Sequence, residues 1–374
     1  MSASVPKLFQ PIDVGAVKLT HRVVLAPLTR CRSSDPEHVP ILPLMKEYYT
    51  QRAQTSGTLL ITEATFIAAK AGGYAYVPGI WSEDQIDAWK EITDSVHAAG
   101  SYMFMQLWAL GRATEPNQLR KEDPSFPFVS ASDIPIESGP NQEIPRPLTV
   151  EEIQEYVGLY TQAARNAIRA GFDGVELHGA NGYLIDQFTQ DVTNTRTDEY
   201  GGSIENRTRF ALEVIDAVTK AIGAERTAIR LSPWSKFQAM GMADPKPTFT
   251  YLVSKIKAAH PDFAYIHLVE PRISGSSDDA DTYGPMASNH FLKNVWRGKR
   301  IILAGGYTRE TALDRAEEGS LIAFGRKFIA NPDLPVRLMQ GIPLNEPNRK
   351  TFYVPGSPEG YTDYPFAKGT VVKL

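Results

Sequence analysis

The chain contains little of what several protein classes require. Cys31 is the only cysteine among 374 residues, so neither an intrachain disulfide nor a metal site built from several thiolates can form. No apolar run approaches the ~20 residues that span a bilayer, and no basic tract accompanies the mild net charge of −4. The sequence therefore predicts no nucleic-acid partner and no membrane partner.

Targeting signals are also scarce. The segment Met1–Phe9 lacks a positive region followed by an apolar core, so we expect no signal peptide. The final residues, Val372-Lys373-Leu374, only loosely resemble the peroxisomal Ser-Lys-Leu address, because valine is a poor substitute for its small first residue. We therefore predict a cytoplasmic protein.

What the chain does have is a series of short apolar runs, typical of strands buried on both faces of a parallel sheet. The eight runs are Arg22–Pro27, Thr58–Thr65, Ser101–Trp108, Phe172–Gly179, Thr227–Pro233, Phe263–Glu270, Arg300–Gly306 and Leu321–Arg326. Helical patterns separate them, the clearest being Ser82–Ala99, Thr149–Ala170, Ser203–Ile222 and Thr308–Glu318. This alternation predicts an α/β fold, a (β/α)₈ barrel forming a single domain over residues 1–374. Long loops are expected after the strands, at Arg112–Arg146 and Glu270–Asn289, with an irregular tail from Asn345.

Two glycine-bearing strand ends suggest a phosphate site. Gly305-Gly306 and Gly325-Arg326 follow the seventh and eighth runs, where many barrels bind phosphate on backbone N–H groups. Arg326 would add a bidentate partner. The alternative interpretation is that these glycines only permit tight turns. We favour a cofactor or substrate that carries a phosphate.

Gln106 and Arg230 lie near the carboxyl ends of their runs. A planar amide and a fixed cation could bind the edge of a flat heterocycle that carries carbonyls. An interior salt bridge from Arg230 to Glu63 or Glu176 is an equally good interpretation. The strand ends carry no cluster of carboxylates, so we predict no metal site.

The stretch that follows the fourth run points to carbonyl chemistry. His178 and Asn181 leave the strand together and could both donate to one oxygen, which would stabilise an enolate. Tyr183 could deliver a proton as a general acid. For His178 the alternative is a cap at the strand end, and for Tyr183 it is packing on top of the barrel.

The ordered motifs of the chain resemble the old yellow enzyme family of flavin-dependent ene-reductases, over almost the whole length. The likeness is nearest to fungal members and to the plant 12-oxophytodienoate reductases. The motifs are Ala26–Arg30, Tyr76–Glu83, Gln106–Trp108, Phe172–Phe188, Asn194–Phe210, Arg230–Pro233, Phe324–Leu334, Thr351–Tyr353 and Gly360–Pro365.

The resemblance implies an enzyme with non-covalently bound FMN, reduced by NADPH and reoxidised by an α,β-unsaturated aldehyde or ketone. Hydride would pass from flavin N5, and Tyr183 would protonate the substrate carbon. His178 and Asn181 would bind the carbonyl. The implied cofactor residues are Pro27, Leu28, Thr29, Ala64, Gln106, Arg230, Gly305, Gly306, Gly325 and Arg326. The implied substrate residues also include Trp108, Phe237 and Tyr353.

Some positions depart from the family pattern. Ala64 stands where many members have glycine, and Asn181 stands where many plant members have a second histidine. The loop Ile273–Tyr283 has no evident counterpart, so its role is left open. We expect a small-molecule enone or enal as the partner of a monomer or homodimer.

Three other functions were weighed. One is a reductase or isomerase of a fungal secondary-metabolite pathway, acting on a dedicated enal. Another is an aldolase or isomerase with a phosphate-bearing substrate, which would require a rim lysine or paired carboxylates. The last is a barrel that only binds flavin.

Overall fold

The computed structural model describes residues 4–136, 143–274, 277–278 and 287–368. Its centre is a ring of eight parallel strands. These are β1 (Val23–Leu25), β2 (Leu59–Ile61), β3 (Tyr102–Trp108), β4 (Gly174–Gly179), β5 (Thr227–Leu231), β6 (Tyr265–Val269), β7 (Ile301–Ala304) and β8 (Leu321–Phe324). Each strand pairs with the next, and β8 pairs with β1, so the barrel is closed. The predicted (β/α)₈ barrel is confirmed.

Helices follow the strands and form the outer layer. They are α1 (Leu44–Ala53), α2 (Glu83–Ala98), α3 (Val150–Arg169), α4 (Ile204–Ile222), α5 (Lys246–Ala259), α6 (His290–Val295), α7 (Arg309–Glu317) and α8 (Leu334–Gln340). The predicted helix starts are confirmed: Ser82 and Thr149 cap α2 and α3, each in a capping box. The cap satisfies backbone N–H groups that the first helical turn would leave unpaired.

The amino-terminal end of the barrel is closed by an antiparallel hairpin of Ile12–Val14 and Val17–Leu19. Its apolar side chains pack in one cluster with residues from inside the barrel, including Val24, Leu59 and Phe104. Burial of this apolar surface stabilises the closed end. Because this end is filled with side chains, the polar residues at the other end form the accessible site.

The long loops carry additional short elements. Three helices are Pro116–Glu122, Leu184–Thr189 and Arg326–Ala330; the strands are Thr65–Phe66, Val129–Ser130 paired with Arg146–Pro147, and Ile273–Ser274 paired with Ser277–Asp278. Single 3₁₀ turns occur at Lys7–Phe9, Ala69–Ala71, Gly111–Ala113, Ala224–Arg226, Phe237–Ala239 and Arg349–Thr351. The loop after β3, expected to be irregular, therefore contains a helix that begins at a proline, a residue favoured at that position.

Several segments named from the sequence lie wholly or partly outside the described residues. They include the start of Met1–Phe9, part of Arg112–Arg146, most of the loop Ile273–Tyr283 within Glu270–Asn289, and the final Val372–Leu374. Within the described residues, no helix is both long and apolar enough to cross a membrane.

Candidate functional site

A cavity opens at the carboxyl ends of the strands. Ten side chains line it, and all ten were predicted site residues. They are Pro27, Leu28, Thr29, Ala64, Gln106, Trp108, His178, Asn181, Tyr183 and Arg230. They come from the first five βα units, so only the closed barrel brings them together.

Strand register places the polar members of this set. Arg230 of β5 lies level with His178 of β4, and Gln106 of β3 lies level with Glu176. Since alternate residues of a strand point to the same side, Glu176 and His178 both point into the barrel. Pro27 follows β1, which lies three strands from β4 around the ring, and it lines the same cavity.

The turn after β4 has a strained but well-supported backbone. Asn181 adopts φ +57° and Gly182 φ +77°, both left-handed. The Asn181 N–H donates to Oγ of Ser232 at 2.7 Å, and the Gly182 N–H donates to Oδ2 of Asp186 at 2.8 Å. These two hydrogen bonds hold the left-handed conformation that a non-glycine residue rarely adopts.

Tyr183 is fixed by aromatic neighbours. Its ring meets Trp108 edge-on at 4.7 Å between centroids and His178 at 4.9 Å. It is also the N-cap residue of the short helix Leu184–Thr189. The edge-on contacts restrict the phenol to one orientation against the imidazole.

Burial sets the protonation states. It lowers the pKa of His178 well below the ordinary value, and the Arg230 cation and the neighbouring His267 lower it further. Burial likewise raises the pKa of Tyr183 well above its ordinary value. At neutral pH the site therefore presents a neutral imidazole and a protonated phenol.

Several polar atoms of the cavity residues have no protein partner. Within the described part of the chain, the buried atoms without a hydrogen bond include Nε1 of Trp108, Nδ1 of His178, Oδ1 of Asn181 and Nε of Arg230. Each such atom costs about 1–3 kcal/mol of desolvation free energy unless a ligand bonds to it. Their concentration here is typical of a binding site.

The predicted phosphate residues do not line this cavity. Gly305 and Gly306 adopt φ +151° and +68° just before α7, whose N-cap is Thr308. The left-handed φ of Gly306 favours glycine at this position. The last predicted phosphate residue, Arg326, begins a short helix after β8.

Two predicted substrate residues also stand outside the lining. Phe237 is 37% exposed in the loop after β5, and Tyr353 is 56% exposed in the carboxyl-terminal segment. Both are large aromatic side chains left in contact with solvent. Their contact with substrate therefore stays a prediction.

Sequence reasoning missed Gln238, the neighbour of Phe237. Its Nε2 donates to the Asn181 carbonyl at 3.0 Å, and the Gln238 side chain acts to lower the pKa of Tyr183. Gln238 has φ +58°, and its carbonyl accepts a 2.6 Å hydrogen bond from Nη2 of Arg112. No local sequence signal marks this contact between two distant loops.

The structure also bears on the alternative interpretation of Arg230, an interior salt bridge to Glu63 or Glu176. Glu176 accepts from Gln106 at 2.7 Å and from His267 at 2.9 Å, while Glu63 accepts from the Arg30 N–H. Among the described residues, Arg230 forms no ion pair within 4.0 Å with either carboxylate. The histidine inside the apolar run of β6 was the available signal for His267.

Comparison with known proteins covers nearly the whole chain. Residues 7–345 match the model of the NADH:flavin oxidoreductase / NADH oxidase family. A chanoclavine-I aldehyde reductase of Penicillium roqueforti is 52% identical, covering 96% of each chain. An NADP-dependent oxidoreductase of Aspergillus flavus is 50% identical over 98% of this chain and 97% of its own. The crystal structure of Old Yellow Enzyme from Pichia sp. superposes with a TM-score of 0.88 at 38% identity, covering 97% and 94%.

Proposed function

The chain belongs to the NADH:flavin oxidoreductase / NADH oxidase family, as a flavin-dependent oxidoreductase of the old yellow enzyme type, and from this we propose that it reduces activated C=C bonds. The substrates would be α,β-unsaturated aldehydes or ketones. The observation that carries the proposal is the convergence of the His178 imidazole and the Asn181 side chain on one cavity beside the Tyr183 phenol, with Nδ1 of His178 buried and unpaired. The proposal assigns residues 1–374 to one FMN-binding domain.

The cavity residues fit FMN. Pro27, Leu28 and Ala64 offer an apolar wall for a flat ring, while Gln106 and Arg230 offer an amide and a cation for its polar edge. Arg230 Nε is buried without a partner, as expected of a group that receives a ligand. When bound, FMN supplies the hydride that reaches the alkene β-carbon.

The phosphate of FMN would lie at the glycine-bearing ends of β7 and β8. Gly305, Gly306, Gly325 and Arg326 would hold it, because the backbone before α7 lets N–H groups approach an anion.

His178 and Asn181 would bind the substrate carbonyl oxygen. A neutral imidazole donates a hydrogen bond without a full charge, so it gains most as negative charge develops on that oxygen. Trp108 stacks near His178, with centroids 6.2 Å apart, and keeps the imidazole in place. Phe237 and Tyr353 would contact the rest of the substrate.

Tyr183 would protonate the α-carbon. Its raised pKa keeps the hydroxyl proton in place until the enolate forms. If the amide of Gln238 donates to the phenol oxygen, the hydroxyl proton is left to point towards the substrate.

The names of the relatives support the finer assignment. An aldehyde reductase and an NADP-dependent oxidoreductase both share half or more of their residues with this chain. We therefore propose NADPH as the hydride donor and an enal or enone as acceptor. A dedicated enal of a fungal secondary-metabolite pathway is the second candidate, favoured by the 52% identity to the chanoclavine-I aldehyde reductase.

The test separates the two half-reactions. Tyr183→Phe keeps the ring contacts but removes the proton, so alkene-dependent flavin reoxidation should slow by about 10²–10⁴-fold. Flavin reduction by NADPH should stay within about twofold. Tyr74→Phe is the matched control, since this neighbouring phenol packs on Trp108 without lining the cavity. Anaerobic stopped-flow spectroscopy measures both steps.

Three results would contradict the proposal. Equal loss of both steps in Tyr183→Phe would remove its role as the acid. Wild-type protein that lacks a flavin spectrum would favour the phosphate-substrate aldolase or isomerase. A yellow protein that no enone reoxidises would be a barrel that only binds flavin.

A further inference from the structure

Below the cavity lies a polar layer that the proposed reaction does not use. Glu176 and His267 point into the barrel with no exposed surface. Glu176 accepts from Gln106 Nε2 at 2.7 Å through Oε1 and from His267 Nδ1 at 2.9 Å through Oε2. Of the side chains in this layer, only Gln106 and Arg230 reach the cavity lining.

These contacts fix the orientation of the Gln106 amide. An ionised carboxylate can only accept hydrogen bonds, so the amide group facing Glu176 must be the nitrogen. The amide oxygen is then the atom of Gln106 left to serve a ligand as an acceptor. His267 in turn must carry its proton on Nδ1, which prevents Glu176 from rotating away.

The charge balance points the same way. Burial acts to raise the pKa of Glu176, but His267, Arg230 and Gln106 outweigh it and hold that pKa below its ordinary value. The carboxylate is therefore negative beneath the Arg230 cation. Replacing buried charges by apolar residues of similar volume is often neutral or stabilising, so stability alone is a weak reason for these charges.

We propose that Glu176 and His267 are positioning residues for the edge of the cofactor ring. They present the Gln106 amide oxygen to this edge as a hydrogen-bond acceptor, and they present Arg230 as a cation whose charge Glu176 partly neutralises. This inference rests on the proposed function. The edge it fits has an N–H donor between carbonyl oxygens, as the flavin pyrimidine ring does. The Glu176 charge also disfavours the extra negative charge of reduced flavin, so it holds the reduction potential down.

The first test removes the charge while keeping the size of the side chain. Glu176→Gln is nearly isosteric, and removing the negative charge should favour binding of reduced over oxidised FMN by about tenfold. For a two-electron couple this raises the midpoint potential by about 30 mV. Anaerobic reduction in equilibrium with a reference dye measures the potential.

The second test changes the orientation alone. His267→Leu removes the donor that holds Glu176, so the Kd of the apoprotein for FMN should rise about tenfold. His267→Asn should restore affinity to within about threefold, because the asparagine amide nitrogen can occupy the place of Nδ1. Quenching of flavin fluorescence measures the Kd.

Asp333→Asn is the control for lost stability. Asp333 is buried and pairs with Arg337 at 2.6 Å, away from the cavity lining. It should lower the thermal midpoint of unfolding without changing the potential or the FMN Kd. The inference is overturned if Glu176→Gln and His267→Leu only lower the thermal midpoint of unfolding and leave the potential and the FMN Kd unchanged. It is also overturned if Asp333→Asn shifts the potential as much as Glu176→Gln does. Wild-type apoprotein that cannot bind FMN would instead overturn the proposed function.

Discussion

The two ends of the barrel interior are built on opposite principles. The amino-terminal end holds Val24, Leu59 and Phe104, sealed by the hairpin Ile12–Leu19. The carboxyl end holds the polar layer and the cavity, where buried atoms of Trp108, His178, Asn181 and Arg230 lack protein partners. One end therefore maximises apolar burial, and the other keeps polar groups that cost stability until a ligand binds.

The fold therefore derives its stability mainly from the apolar end, and the unpaired polar groups of the other end lower that stability. The same eight strands serve both ends, so a substitution at one end should change a different observable from a substitution at the other. Stability and ligand affinity are the two observables that separate them.

The largest expected effect is at the apolar end. Phe104 is fully buried and packs against Tyr265 at 5.6 Å between ring centroids. Phe104→Ala should lower the free energy of unfolding by about 3–5 kcal/mol, measured by urea denaturation. FMN affinity of the folded protein should stay within about threefold. An equal loss of affinity would show that the two ends are not separable.

The next effect is a pH dependence at the same end. Burial lowers the pKa of His21 to about 4, and its Nε2 lies 3.0 Å from Thr58 Oγ1. Between pH 6.5 and about 4 the unfolded chain binds a proton that the native state does not, so stability falls as the pH falls. The difference is about 3 kcal/mol across the window.

His21→Asn should remove that part of the acid-side loss in urea titrations between pH 4.5 and 7. Asp186, at the cavity end, provides the opposite sign: burial raises its pKa to about 7, so its contribution to stability is lost as the pH rises from about 4 to 7. A profile that His21→Asn leaves unchanged would contradict the assignment to His21.

The smallest expected effect is at the cavity. His178→Ala should weaken binding of phenolic or carbonyl ligands about tenfold, which is about 1.4 kcal/mol. Its cost in unfolding free energy should be below that of Phe104→Ala, because the lost imidazole has a nitrogen without a partner. Titration of the flavin charge-transfer band measures affinity. Unchanged affinity would remove His178 from the ligand site.

Much of the fold could be predicted because its signals are local. A strand covered on both faces, such as β7, is a continuous apolar run. The cap of α3 needs only Thr149 and Glu152, three residues apart. The cavity residues were also predictable, since the carboxyl ends of barrel strands converge on one rim.

What could not be predicted depends on contacts between distant segments. The predicted run Thr58–Thr65 divides in the structure into β2 and the separate strand Thr65–Phe66. Gln238 reaches Asn181 only because Arg112 holds the loop after β5. The hydrogen-bond partners of Glu176 were likewise undetermined, because the sequence does not show whether Arg230 or other residues of the barrel strands contact its carboxylate.

The left-handed backbone at Asn181 limits which side chains evolution can place there. Asparagine, aspartate and histidine adopt φ near +57° far more readily than β-branched residues do. Of these, only asparagine and neutral histidine can donate a hydrogen bond to a carbonyl oxygen at neutral pH. Asn181 therefore meets the conformational and the chemical requirement together. A library at position 181 should therefore yield ligand-binding variants mainly with these two residues.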